Sequence, residues 1–165
     1  MRKSYERATI SKTVGWPSLV SKILVGYDGT PSSDRALEFG LDLAEKYSAS
    51  ISILNVVELP VFGNSGDPIA LSAGVAGFIK DLRGTHEFIL TKAKEKAAVL
   101  KPNIVTTTTL KEGNPPDQIV STAEEDGFDI VVVGHGGEGR LREMFLGGVS
   151  ERVAHTARCT VVIAR

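Results

Sequence analysis

ILVGYDGTP, residues 23–31, joins a short apolar run to a turn and then to helix-starting chemistry. Ile23, Leu24 and Val25 are stopped by Asp28-Gly29, as expected of a buried strand that ends in a turn. Thr30 carries a hydroxyl able to cap a helix and Pro31 suits a first helical position. Leu37, Leu41 and Ala44 then recur at spacings of four and three on one face. The unit is strand, turn, helix.

The same unit recurs toward the C-terminus. Ile51 to Val57 reads as a second buried strand, too short and too β-branched for a helix, and Pro60 closes it. From Pro60 to about Gly84, glycines, Asn64 and Pro68 without a period predict a long connection with room for one short helical piece. Helical spacing returns from Thr85 to Leu100 through Phe88, Ile89, Ala93 and Ala97, and Pro102 ends it. Ile104 to Leu110 is a threonine-rich strand with one less buried side. Gly113-Asn114-Pro115-Pro116 turns into a helix that buries Ile119 and Ala123 and ends near Gly127. Ile130 to Val133 is the most hydrophobic strand. Leu146, Val149, Val153 and Ala157 mark one face of a last helix before a closing strand, Thr160 to Ala164.

Strands that are apolar on both sides and alternate with helices require a parallel sheet covered on each face. Right-handed crossovers then give a single doubly wound α/β domain over residues 22–165, with five strands in the order 3-2-1-4-5. In that order the topological switch lies between the first and fourth strands, where such sheets bind ligands at their C-terminal ends. Asp28 and Gly134 stand at those ends.

The chain has 165 residues, 42% of them hydrophobic and 24% charged, which suits one core rather than two. A formal charge of −1 argues against a general nucleic-acid binder, so any polyanion site must be local. Cys159 is the one cysteine, which rules out an internal disulfide and fits a reducing compartment. Residues 1–21, with Arg2, Lys3, Arg7 and Lys12 against Glu6, read as a flexible extension in which Trp16 and Pro17 are able to dock on the body. They lack a secretory apolar core, and no apolar run approaches the roughly 18 residues of a membrane span. The expectation is a soluble cytoplasmic protein that binds neither membrane nor nucleic acid.

GHGGEGRLREMFLGGVS, residues 134–150, follows the most buried strand directly. Gly134, Gly136, Gly137 and Gly139 are able to take positive φ and to bring backbone N–H groups close to an anion. Gly147 and Gly148 open the last helix, whose first N–H groups and dipole favour negative charge. Arg140 and Arg142 add positive charge nearby, or are simply solvated. Gly134, Gly136 and Gly139 also match G-x-G-x-x-G, but no acid follows some 20 residues on, as a dinucleotide site requires. The chain has no Gly-Lys pair, so the G-x-x-x-x-G-K-[ST] phosphate loop is absent.

This segment resembles the ATP-binding motif of universal stress proteins, G-x2-G-x9-G-[ST], read from Gly134, Gly137 and Gly147, with Gly148 where the motif has Ser or Thr. ILVGYDG and GNPPDQIV extend the likeness over most of residues 21–165. The resemblance implies an adenine nucleotide alpha hydrolase-like fold and an adenine nucleotide, ATP or AMP or ADP, with Mg2+ as an accompanying ion. It implies that Asp28 contacts the adenosine part, that Val56 lines the base pocket, and that the glycine motif holds ribose and phosphates through Gly134, His135, Gly136, Gly137, Gly147, Gly148, Val149 and Ser150.

Each position also has a structural reading: Asp28 as a turn stabiliser, Val56 as core, Ser150 as a helix cap, His135 as an exposed loop residue. His86, His135 and His155 lie apart, and neither HExxH nor G-x-S-x-G occurs, so no catalytic or metal-ligating set is expected and ATP hydrolysis would be slow at most. The expected role is a nucleotide-responsive stress or regulatory module. The alternatives are a nucleotide-independent dimerising stress protein and an ATP-using transferase or hydrolase. Thr160 to Ala164, apolar and free of proline at a sheet edge, predicts a homodimer.

Overall fold

The computed structural model describes residues 20–60, 73–136 and 148–165. Within them strand and helix alternate: β1 (Lys22–Gly26), α1 (Pro31–Tyr47), β2 (Ser50–Val57), α2 (Ala73–Leu100), β3 (Thr106–Glu112), α3 (Pro115–Glu125), β4 (Ile130–Gly134), α4 (Val149–Thr156) and β5 (Thr160–Ala164). The strands form one parallel sheet ordered β3-β2-β1-β4-β5, the expected doubly wound α/β topology with β5 at an edge.

β1 is central, and its pleat divides the core. Ile23 and Val25 turn to the face where α1 and α2 supply Leu37, Leu41, Leu90 and Ala93. Leu24 turns to the other face, with Ile119 and Ala123 of α3 and Val153 of α4. Ile23, Leu24 and Val25 are all fully buried, which explains a strand that reads as continuously apolar rather than alternating.

Local chemistry sets the boundaries. Thr30 caps α1 by accepting from the Ser33 N–H at 3.2 Å, and Pro31 follows in the first turn. α1 stops at Ser48, a non-glycine residue in the left-handed region (φ 55°), whose N–H returns to the last carbonyls. Asp129 ties the start of β1 to that of β4: one carboxylate oxygen accepts from the N–H groups of Ser21 (2.7 Å) and Lys22 (2.9 Å) and from the Ser21 hydroxyl. These hydrogen bonds hold its carboxyl below the usual aspartate range.

Two expected boundaries move. The connection predicted to reach Gly84 is helical from Ala73, and Gly77 and Gly84, which lower helix propensity, hid these first turns of α2 from the sequence. β3 begins at Thr106 rather than Ile104, since the Ile104 N–H closes a turn onto Lys101 O at 3.1 Å. Residues 1–19 of the expected extension, Trp16 and Pro17 among them, lie outside the described residues, as does Leu146. Ala157 caps α4 at its C-terminus instead of belonging to it.

Candidate functional site

A cleft of about 620 Å3 lies at the C-terminal ends of β1, β2 and β4, at the switch point, within the size range of small-molecule sites. At its base β1 ends in Gly26, where a Cβ would come within 3.1 Å of Val133 Cγ1 and 3.2 Å of Ile119 Cδ1. Leu54, Val56 and Ile119 give the cleft an apolar side, while Asp28 and Glu58 bring carboxylates to it.

Three helices begin at this cleft. Pro31, Ser32 and Ser33 of α1, Pro115 of α3, and Val149 and Ser150 of α4 all line it. The first N–H groups of a helix lack internal partners and its dipole is positive at that end. In α4 the Arg152 N–H is the first to close onto the cap, at Gly148 O (3.1 Å), so those of Val149, Ser150 and Glu151 precede the helical ladder. An anionic group is therefore favoured here.

The expected site residues fall as follows. Asp28, Val56, Gly134, Gly136, Val149 and Ser150 all line the cleft, and Gly148 caps α4 beside it. Gly137 and Gly147, with Arg140 and Arg142, lie outside the described residues. Asp28 also holds its own turn: its Oδ1 accepts from the Thr30 N–H (3.0 Å) and the Thr30 hydroxyl (2.6 Å), with Gly29 at φ 83° between them. Asp28 is thus a turn stabiliser that also lines the cleft. Val56 is half-buried rather than core. Ser150 is 5% exposed and is not the cap of α4, a position held by Gly148 with no side-chain bond. His135 stands beside the cleft without lining it. Its N–H donates to Ala164 O (2.7 Å) and its carbonyl accepts from the Ser32 hydroxyl (3.0 Å).

The reason expected for the first glycines is corrected. Positive φ occurs, among the described glycines, at Gly29, Gly113 and Gly127, and at neither Gly134 nor Gly136. Gly134 is required by proximity instead: a Cβ there would stand 2.5 Å from Ser32 O and 2.6 Å from Ser32 C. Glycine at this point lets the end of β4 meet the start of α1.

Sequence reasoning missed His86, Asn55 and Tyr27. Asn55 is 1% exposed, donates from Nδ2 to Tyr27 O (2.7 Å), and presents Oδ1 to His86 Nδ1 at 2.5 Å, with His86 lining the cleft. The signal was an asparagine within a buried strand run, since a buried amide needs partners. The Tyr27 phenol donates to Asp34 Oδ1 (2.7 Å); burial first, then this carboxylate and the nearby Asp28, push its pKa far above the ordinary tyrosine value, so it stays neutral. Asp34 in turn meets Lys96 of α2 at 3.1 Å.

Comparison with known proteins agrees with this architecture. The chain is 32% identical over 158 residues to the universal stress protein YxiE of Bacillus subtilis, covering 89% of this chain and 100% of that protein. Among solved structures it resembles the universal stress protein UspA of Lactobacillus plantarum, with a TM-score of 0.73 at 20% identity over 88% of this chain and 97% of the other. It also resembles a universal stress protein in complex with cAMP, with a TM-score of 0.68 at 24% identity over 90% and 99% of the two chains. A family protein from Arabidopsis thaliana with AMP bound gives 0.60 at 18% identity over 87% and 90%. These folds are of the adenine nucleotide alpha hydrolase-like type. The model of the universal stress protein family matches residues 20–165, and the chain belongs to that family.

Proposed function

We propose that the cleft binds an adenine nucleotide, ATP or its AMP or ADP relatives, and that the protein acts as a nucleotide-responsive stress or regulatory module. The observation that carries the reading is the convergence of the α1, α3 and α4 starts on one cleft at the switch point. Phosphates would face these N–H groups, with Gly134 and Gly136 keeping that side free of bulk. Asp28 would accept from ribose hydroxyls through Oδ2, since Oδ1 is engaged by Thr30. Val56 would pack on the base. The family relatives solved with cAMP and AMP support an adenine ligand.

Gly148 lacks the hydroxyl that the motif carries at this point, which is the observation favouring a nucleotide-independent dimer as the second reading. The Ser150 hydroxyl, in the lining of the same cleft, would stand in for it. Among the described residues no group of three His, Cys, Asp or Glu could hold a metal ion, so Mg2+ would enter on the nucleotide's own phosphates, with water completing its shell. Residues 22–165 would act as one domain, and β5 would pair with a second copy across its open edge. No described helix is long and apolar enough to cross a membrane.

Freshly purified protein is denatured and the released small molecules are identified by mass spectrometry; the emptied protein is then titrated calorimetrically with ATP and Mg2+. Near-stoichiometric adenine nucleotide, or micromolar binding, is expected. Absence of both release and binding would overturn the reading and leave the nucleotide-independent dimer.

A further inference from the structure

Along α2 the inward positions run Val75, Ile79, Leu82, His86, Ile89 and Leu90, so His86 is the polar member of an apolar stripe, placed above β2 where the cleft opens. Its partner Asn55 has no rotational choice. Tyr27 O is a carbonyl and only accepts, so the Asn55 group 2.7 Å from it must be the NH2, and the Asn55 oxygen must face His86. That oxygen also only accepts. His86 Nδ1 must therefore carry a proton, and in the neutral ring Nε2 is left with a lone pair.

We infer that His86 is a specificity-determining residue of the cleft, set by Asn55 to present Nε2 as an acceptor to an amino group on the ligand base. The inference rests on the nucleotide reading above and refines it. At the six-position of a purine an amino group donates and an oxo group accepts, so an acceptor-only Nε2 favours adenine and opposes hypoxanthine. Asn55 is a positioning residue: it reaches the ligand only through the imidazole.

AMP and IMP are titrated by calorimetry into the emptied full chain, wild type and His86→Leu, at mildly alkaline pH. Wild type is expected to prefer AMP by about tenfold, as one hydrogen bond and its lost counterpart would give, and His86→Leu to bind both alike. Nitrogen-15 NMR of the wild type supplies a readout independent of any variant, and a protonated Nδ1 with a bare Nε2 is expected. A protonated Nε2 in the neutral ring, or AMP binding with the same preference in folded His86→Leu, would overturn this inference and leave the nucleotide site standing. Binding of neither nucleotide to wild type would overturn both.

Discussion

Gly134, the last residue of β4, lies against Ser32 in the first turn of α1 so closely that a Cβ on it would stand 2.5 Å from the Ser32 carbonyl oxygen. The Ser32 hydroxyl is close to the same point and bonds to His135 O at 3.0 Å. Because the obstacle is backbone, Gly134→Ala is expected to force β4 and α1 apart. Overpacking of this kind destabilises by about 1–3 kcal/mol. Urea denaturation should show that loss, with nucleotide affinity falling alongside it; unchanged stability would mean that the junction yields freely.

Asp28 is expected to separate into two roles when substituted. Asp28→Asn retains an oxygen for the Thr30 N–H and hydroxyl, so the turn and the α1 cap should survive with a stability change within about 0.5 kcal/mol. Nucleotide affinity should nevertheless fall, because the negative acceptor is gone. Asp28→Ala should lose affinity and about 0.5–1 kcal/mol of stability together. Equal affinity in wild type and Asp28→Asn, measured calorimetrically, would remove the carboxylate from the binding surface.

Gly148→Ser tests the departure from the family motif. Gly148 has φ −58° and ψ 170°, a conformation open to any residue, and a Cβ there would meet no atom of the described residues within 4 Å. Serine at this cap should raise stability by a few tenths of a kcal/mol and preserve or tighten nucleotide binding. Weaker binding would show that the missing hydroxyl is not what limits the site.

Asp129 gives the fold an acid-sensitive joint. Its folded-state pKa is depressed, mainly by the Ser21 and Lys22 N–H groups, so its contribution is complete above the ordinary aspartate pKa and is lost as pH falls through the depressed value. Asp129→Ala should lower stability by about 1 kcal/mol at neutral pH and converge with wild type in strong acid. Denaturation midpoints from pH 7 downward check the sign; a constant gap would refute it.

For the proposed dimer, a charge at Val162, in the centre of the edge strand β5, should yield mainly monomer in light scattering with a nucleotide site that still titrates. Val162 is partly buried against the α1 side of the core, so thermal unfolding must accompany the measurement. A dimer that persists in folded protein would move the interface to another surface.

The fold was legible because apolar runs and turn residues coincide at each strand end: Ile23 to Val25 before Asp28-Gly29, Ile130 to Val133 before Gly134. What stayed hidden depended on distance in the chain. The N-terminal turns of α2 were obscured by Gly77 and Gly84, residues that depress helix propensity and that, among the described residues, have no packing neighbour. Gly134 was read for a positive φ it does not have, since its contact with Ser32 exists only after β4 and α1 have packed. The His86 and Asn55 pair lies 31 positions apart and has no local period to betray it. Asp28 could be read because it lies just past the end of β1, whereas Val56, the penultimate residue of β2, came only from the family resemblance.

The cleft walls come from the ends of β1, β2 and β4 and from the starts of α1, α3 and α4, segments that meet only when the whole sheet has closed. An occupant would thus act as a keystone. By mass action, a ligand at a hundred times its dissociation constant adds about 2.7 kcal/mol to the native state. The cellular nucleotide supply would then be felt as the persistence of the folded molecule itself, and a starved cell would hold a population more open to proteases.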